Sequence, residues 1–316
     1  MAKALEYNAT LVERIDITDA LTLFRIKPDD QPAVPWFVPG QYCVLGLNNE
    51  TVPALGSVRR SMSIASSAQH EGPIEFYIRF VAKPASENPL THLLWKLKAG
   101  DRMYMRAHAA GVFTVADTVG VEDPRIRILV AAGTGSAPFV SMVRTEIARN
   151  PNVDLSKWVI LHGASYAADL GHRDELNAMV AKHRLRYWGT VSRPDGSPGW
   201  RGDTGRVEAF FEPGRLEDLE ARIGLGRGEL TPKTAMVMIC GLQGTISGTL
   251  TALLDRGFVP DFKRIREALA VPETMVSSLF YEQYDHEPVI DIKNPESVAP
   301  LKARLHAALV RLGVPT

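Results

Sequence analysis

Cysteine is scarce in this chain: only Cys43 and Cys240 occur in 316 residues, and they lie far apart. Two such thiols cannot hold a conventional iron–sulfur cluster or a four-cysteine zinc site, and they do not suggest a secreted disulfide framework. Charge of one sign is also missing. Lysine plus arginine total 36 and aspartate plus glutamate total 36, a formal net charge of zero. That argues against a chain built mainly to coat nucleic acid or an anionic membrane. The opening MAKALEYNATLVERI has no apolar core of signal-peptide length, and no later run approaches a membrane span. The expectation is a cytoplasmic protein with no nucleic-acid partner and no membrane span. No GK[ST] follows any glycine-rich turn, and the full G-x-G-x-x-G fingerprint is absent, which excludes a phosphate-gripping NTPase loop.

What is present divides in two. A chain of this length is expected to form two domains, each with its own core. The first part carries short strand candidates at Thr10–Ile15, Leu21–Ile26, Tyr42–Leu47, Ile74–Val81 and Asp101–Ala107, separated by glycine and proline. Such a pattern suggests a closed barrel or a sandwich. One helical piece interrupts it at Leu90–Lys98, where Thr91 is placed to cap the helix or bind an anion. From Ile126 strands and helices alternate, with strands at Ile126–Val130, Trp158–Gly163, Leu185–Thr190 and Met236–Cys240. Helices are predicted at Pro138–Arg149, Tyr166–Lys182, about Ser247–Arg256 and Asp261–Leu269, which implies a parallel sheet with covered faces. The boundary is expected near Gly120–Pro124. A final helix from Pro300 puts Leu301, Leu305, Leu309 and Leu312 on one face. Packing on the chain's own body is the plain reading of that face; contact with a second copy or docking of a partner is the alternative.

The pivotal stretch is AAGTGSAPF, from Ala131 to Phe139. A β-branched and leucine run ends in a glycine turn, and Pro138 suits the first turn of a helix. Gly133 and Gly135 permit close backbone approach, and the free N–H groups of the helix start favour an anion. Taken alone, the stretch is either an anion-friendly loop or a structural turn. In the first half, RRSMSIASS (Arg59–Ser67) combines arginine and serine donors on what composition reads as a polar edge strand. Cys240, at the end of MVMIC, reads on its own as a buried strand-end cysteine, and Tyr77 as a core tyrosine.

Together these motifs resemble the ferredoxin/flavodoxin–NADP reductase family, particularly its bacterial flavoprotein branch, over roughly residues 5–285. The resemblance implies an antiparallel β-barrel FAD-binding domain (1–120) followed by an α/β parallel-sheet NADP(H)-binding domain (121–285). A C-terminal extension with an amphipathic helix (286–316) lies beyond the family's usual aromatic ending. RRSMSIAS is similar to the family's flavin motif, so Arg60 is implied to hold the FAD pyrophosphate and Ser63 to lie near flavin N5. Ile64, Ala65 and Ser66 continue that motif. Met62 stands where the family has a flavin-stacking tyrosine; a thioether packs against an aromatic ring but offers no hydroxyl. Asn88, Leu90 and Thr91 match the second flavin-phosphate segment, Gly111 and Phe113 the end of the flavin domain, and Tyr77 a flavin-side residue.

On the nicotinamide side, the resemblance implies that Gly133, Thr134 and Gly135 approach the dinucleotide. Ser192, Arg193 and Arg206 would meet the adenosine 2′-phosphate, and Cys240 with Gly241 would lie near nicotinamide C4. Glu282 and Tyr284 match the C-terminal glutamate and aromatic residue. Ser63, Cys240 and Glu282 are the implied catalytic positions. Ser165 stands where the bacterial branch often has an arginine, so the implied preference for NADPH over NADH rests on Arg193 and Arg206. The implied activity is hydride transfer between nicotinamide C4 and FAD N5, with single electrons exchanged with ferredoxin or flavodoxin. Arg59, Lys96, Lys98, Arg102 and Arg106 are candidates for a basic face toward such a partner. A flavin reductase, an electron-supply component of an oxygenase system, and a non-catalytic flavin-binding module are the alternatives. No metal is implied.

Overall fold

The computed structural model describes residues 4–30 and 32–314. They divide into two compact units. The first runs to Thr114 and also takes in Ala137–Val153; the second comprises Val115–Ser136 and the chain from Asp154 onward.

The first unit is a six-stranded sheet built from β1 (Ala9–Thr18), β2 (Leu21–Pro28), β3 (Tyr42–Asn48), β4 (Ser57–Ser63), β5 (Ile74–Arg79) and β6 (Arg102–Met105). The order is β4-β3-β6-β1-β2-β5, and neighbouring strands run antiparallel. The two edge strands meet just past β4: Ile64 bridges Phe76, and the Ala65 N–H donates to the Glu75 carbonyl at 2.9 Å. Strand alternation sorts the side chains. Ile74, Phe76 and Ile78 of β5 join Leu11, Phe24, Ile26, Leu45 and Ile64 in the core. Glu75 and Tyr77 take the other face, where Tyr77 packs with Leu21, Ala65 and Ala137.

Helix α1 (Leu90–Leu94) is shorter than the predicted Leu90–Lys98. The chain leaves α1 in tight turns because Arg14 reaches across and donates to the carbonyls of Trp95 and Leu97, at 2.8 and 3.0 Å. Thr91 does not cap it either. The residue at the cap is Pro89, without a side-chain bond, and the Thr91 hydroxyl accepts from the Val81 N–H at 3.4 Å. Helix α2 (Val115–Thr118) opens the second unit, and α3 (Ala137–Arg149) returns the chain to the first. Three side chains of α3 bind the segment between β4 and β5. Ser141 donates to the Ser66 carbonyl at 2.7 Å, Arg144 to the Ala65 carbonyl at 2.8 Å, and Thr145 accepts from the Ala68 N–H at 2.9 Å.

The second unit is a wholly parallel sheet: β7 (Ile126–Ala132), β8 (Trp158–Ala164), β9 (Arg186–Val191), β10 (Asp203–Thr204), β11 (Ala235–Gly241) and β12 (Leu279–Gln283). Its order is β10-β9-β8-β7-β11-β12. Helices α4 (Arg173–His183), α5 (Arg215–Arg222), α6 (Gln243–Leu254), α7 (Lys263–Ala268) and α8 (Pro295–Arg311) connect and flank the strands. The helix predicted from Tyr166 begins only at Arg173, because His172 adopts a left-handed φ of 61° after Gly171 and interrupts the helical path. Helix α8 starts five residues before the predicted Pro300. Pro295 is its first-turn proline, and the Asn294 side chain caps it by accepting from the Glu296 N–H at 3.0 Å.

The apolar stripe of α8 is spent inside the second unit. Leu305, Ala308 and Leu309 are buried in its core, and the Arg304 guanidinium pairs with both oxygens of Asp255 at 2.7 Å. A Cβ at Gly257 would lie 2.6 Å from Leu312 Cδ1, so the helix end packs directly against that glycine's backbone. Among the described residues no helix is long and apolar enough to cross a membrane, and no cluster of metal-ligating side chains occurs.

Candidate functional site

The order of the parallel sheet determines where a ligand fits. From β7 the chain moves to β8 on one side and later returns to β11 on the other, so the switch point lies between β7 and β11. Loops leaving those two strands diverge there and open a crevice at the carboxyl edge. The loop after β7 is a single tight turn, Gly133–Ser136. Gly133 has φ +55° with open space where a side chain would be. Gly135 is the reverse case: a Cβ there would lie 2.1 Å from the Cys240 carbonyl oxygen, so only glycine lets the two strand ends meet. Ser136 is fully buried, and its hydroxyl has no hydrogen-bond partner among the described residues.

Around this meeting point the structure gathers the predicted nicotinamide-side residues. Cys240 is buried, and its thiol donates to Glu282 Oε2 at 3.9 Å, across the paired strands β11 and β12. Burial, then the Glu282 carboxylate, pushes the Cys240 thiol well above its ordinary range, while a hydrogen bond with the Tyr284 side chain opposes them. The thiol is therefore neutral at pH 7. Tyr284 is 41% exposed and is held through its N–H to the Gly241 carbonyl at 3.0 Å. Just beyond it, the Asp285 carboxylate accepts from the Gln243 N–H at 2.9 Å at the start of α6, and the Gln243 amide donates to the Pro288 carbonyl at 3.2 Å. The chain is thus pinned to the start of α6 just beyond the tyrosine.

The cationic residues lie farther along the same edge. Ser192 and Arg193 follow β9, and their N–H groups donate to the carbonyls of Ala164 and Ser165 after β8, both at 3.0 Å. The exposed Arg193 guanidinium donates to the Tyr166 hydroxyl at 3.3 Å and lies 5.7 Å from that ring's centre. Arg206 is exposed, 3.7 Å from Glu208 and the same distance from where a Cβ would stand on Gly244.

In the first unit, Arg60 projects from the edge strand β4 and is exposed. Ser63, at the end of β4, is nearly buried, and Ile64 and Ala65 beyond it are fully buried. The Ser66 hydroxyl accepts from the Glu75 N–H at 2.8 Å, so it is occupied within the fold. Met62 lies opposite Cys43 and packs half-buried on the core. Asn88 accepts from the Asn49 amide at 2.9 Å and donates to the Leu55 carbonyl at 3.2 Å, which ties its segment to the loop before β4. Leu90 is buried in the core. Gly111 has φ +105° and lies over the Tyr42 ring, and Phe113 packs against Phe139 at 5.9 Å. Of the basic candidates, Arg102 pairs with Asp29 and Lys96 donates to the Thr51 hydroxyl at 3.1 Å.

Two groups escaped the sequence reading. One is the trio Ser141, Arg144 and Thr145 on α3, whose spacing shows only an amphipathic helix. The other is His162, set within the apolar run WVILHGA of β8; a lone histidine in a buried strand was the available signal.

A parallel sheet with a glycine turn at its switch point is an arrangement suited to a nucleotide, and residues 129–250 match the family model of the oxidoreductase NAD-binding domain. Ferredoxin–NADP reductase A of Sorangium cellulosum is 30% identical over 247 residues, covering 75% of this chain and 79% of that one. The ferredoxin–NADP reductase of Azotobacter vinelandii is 27% identical, covering 70% and 79%. The chain belongs to the ferredoxin–NADP reductase family. Its fold is similar to that of a ferredoxin NADP+ reductase from Neisseria gonorrhoeae with bound FAD and NADP. The TM-score is 0.67 at 21% identity, over 87% of this chain and 97% of that one.

Proposed function

We propose that the protein is an FAD-dependent ferredoxin (or flavodoxin)–NADP+ oxidoreductase that prefers NADPH over NADH, transfers hydride between the nicotinamide and the flavin, and exchanges single electrons with a ferredoxin or flavodoxin. The observation that carries this reading is the junction of Gly135, Cys240 and Glu282 at the switch point, with its 2.1 Å glycine constraint. The chain's own residues support both cofactor readings. The Gly133 turn leaves open backbone at a strand end, and Arg193 and Arg206 stand exposed along the same edge. In the first unit, Arg60 offers an unpaired face of the edge strand, and Gly111 brings bare backbone beside Tyr42.

On this reading residues 1–120 form a flavin-binding barrel, with the Ile64–Phe76 bridge as its closure. Residues 121–285 bind NADP(H), and 286–316 are an extension that braces α6. Arg60 holds the flavin diphosphate; Ser63 orients the ring; Met62 supplies an apolar contact beside it. Asn88, Leu90, Thr91, Gly111 and Phe113 shape the rest of that site, with Ile64, Ala65, Ser66 and Tyr77 as its support. Gly133, Thr134 and Gly135 receive the nicotinamide nucleotide. Ser192, Arg193 and Arg206 recognise the 2′-phosphate, for which a guanidinium offers paired donors and a permanent charge. Cys240 and Gly241 lie at the nicotinamide end of the crevice, with the neutral thiol buried behind it against Glu282. Glu282 holds that thiol, and Tyr284 covers the place where the nicotinamide enters. When bound, the two cofactors supply the hydride and electron chemistry; the protein supplies alignment and exclusion of water.

The test is anaerobic reduction of the gently purified protein by NADPH and NADH in parallel, followed by ferredoxin, flavodoxin and free flavin as acceptors. Bleaching of the flavin band by NADPH, then rapid reoxidation by a redox protein, is the expected result. Transfer to free flavin alone would favour a flavin reductase. A colourless protein, or a yellow one that neither nucleotide bleaches, would overturn the proposal.

A further inference from the structure

His162 is a fully buried histidine that the proposed chemistry does not use. Its Nε2 lies 2.9 Å from the carbonyl oxygen of Gly133, and its Nδ1 lies 3.4 Å from the hydroxyl of Tyr187, the latter on β9. A carbonyl oxygen can only accept, so Nε2 must carry the proton. Nδ1 is then bare in the neutral ring and accepts from the Tyr187 hydroxyl. The Gly133 carbonyl fixes the tautomer, and the Tyr187 hydroxyl is compatible with it. Burial, which disfavours the charged imidazolium, lowers the pKa to about 4, with His172 adding to the effect and the Gly133 carbonyl opposing it. The ring is neutral throughout the physiological range.

The bond acts at a sensitive place. Gly133 is the first residue of the switch-point turn, and its φ of +55° sets the direction in which the next two residues leave β7. Gly135 leaves no room for adjustment, being in contact with the Cys240 carbonyl. His162 therefore constrains the one end of the turn that packing leaves open.

We infer that His162 is a positioning residue: oriented by Tyr187, it holds the Gly133 carbonyl turned toward β8 so that the N–H groups of the turn face the nicotinamide nucleotide. This rests on the reading of the turn as the nucleotide site. It assigns to a buried pair on β8 and β9 a part in nucleotide affinity, separate from the 2′-phosphate contacts.

The test is isothermal titration of the holoprotein with NADP+, together with ¹⁵N NMR of the imidazole. His162→Leu should raise the NADP+ Kd about tenfold, the scale of one lost buried hydrogen bond, with flavin content unchanged. His162→Gln, whose amide can donate to the same carbonyl, should recover most of the affinity. Tyr187→Phe, which leaves the imidazole in place but unoriented, should fall between. A merely structural role would lower thermal stability in all three variants without this ranking of Kd. A folded Leu variant binding within twofold of wild type would overturn the inference. If that variant does not fold, Tyr187→Phe and the wild-type spectrum decide, and a proton on Nδ1 would overturn it equally. Failure of the wild-type protein to bind either nucleotide would instead refute the functional reading, while the spectrum still tests the Gly133 bond.

Discussion

Replacing Arg144 by methionine should weaken the first unit measurably, because the arginine neutralises a carboxylate that water does not reach. Glu75 has only 4% of its side chain exposed. One of its oxygens accepts from Arg144 at 2.7 Å and the other from Arg25 at 3.0 Å. Methionine keeps much of the arginine's stem but removes the Arg144 guanidinium from the first oxygen. Breaking a buried pair by removing one partner costs roughly 3–5 kcal/mol when nothing else compensates. Arg25 still holds the second oxygen, although it is 38% exposed and shared with Glu13 at 2.6 Å, so about half that cost should remain. The Ala65 carbonyl also loses its donor, adding roughly 1 kcal/mol. The sum is about 2.5–3.5 kcal/mol, and at ~3 °C per kcal/mol for a unit of this size the Tm should fall by roughly 8–10 °C. Calorimetry should show the loss, and Glu75→Gln in the same background should restore part of it by removing the stranded charge. A Tm within about 2 °C of wild type, or strictly additive effects of the two substitutions, would refute the argument. Because Arg144 and Ser141 grip the carbonyls of Ala65 and Ser66, flavin retention should fall with the same variant.

Both cysteines should be silent toward a thiol reagent in the native protein at pH 8, since burial pushes Cys43 up to about 12 and Cys240 well above its usual range. Two thiols should appear in denaturant, and a fast native thiol would contradict this. His162 should make the protein sensitive to acid. Its folded pKa of about 4 lies below the ordinary 6.5, so the unfolded chain takes the proton first. Its contribution is complete above pH 6.5 and is lost as pH falls toward 4, on the order of 3 kcal/mol in all. Urea midpoints at pH 7.5 and 4.5 should therefore diverge less in His162→Gln than in wild type; equal divergence would refute the assignment. Arg193→Ala should raise the KM for NADPH roughly tenfold or more while leaving NADH nearly unchanged, and equal loss with both nucleotides would sink its role at the 2′-phosphate.

Much of the fold is legible in local patterns because local physics produces it. Alternation over IEFYIR and glycine or proline at the strand ends mark the strands of the first unit. The change to alternating strands and helices from Ile126 marks the parallel sheet. Legibility fails where a distant group intervenes or a local signal goes unread. Arg14, far away in the chain, draws the end of α1 into turns. His172 in a left-handed conformation delays α4, and Pro295 rather than Pro300 opens α8 because Asn294 is there to cap it.

The site divides in the same way. By residue type alone AAGTGSAPF, RRSMSIASS and the cysteine–glycine pair stand out only as a glycine turn, a polar edge strand and a strand end, and it is their resemblance to the family's motifs that points to roles for them. Only the tertiary structure decides that Gly135 meets the Cys240 carbonyl, that Glu282 faces the thiol, and that the stripe of α8 is consumed by its own unit. Only it brings His162 to the Gly133 carbonyl and Arg144 to Glu75. Sequence determines which groups are available and the period at which they recur; pairing between strands far apart in the chain determines which of them touch. A buried histidine or glutamate acquires its role from those partners alone, because with water excluded the nearest donor or acceptor sets its charge and direction.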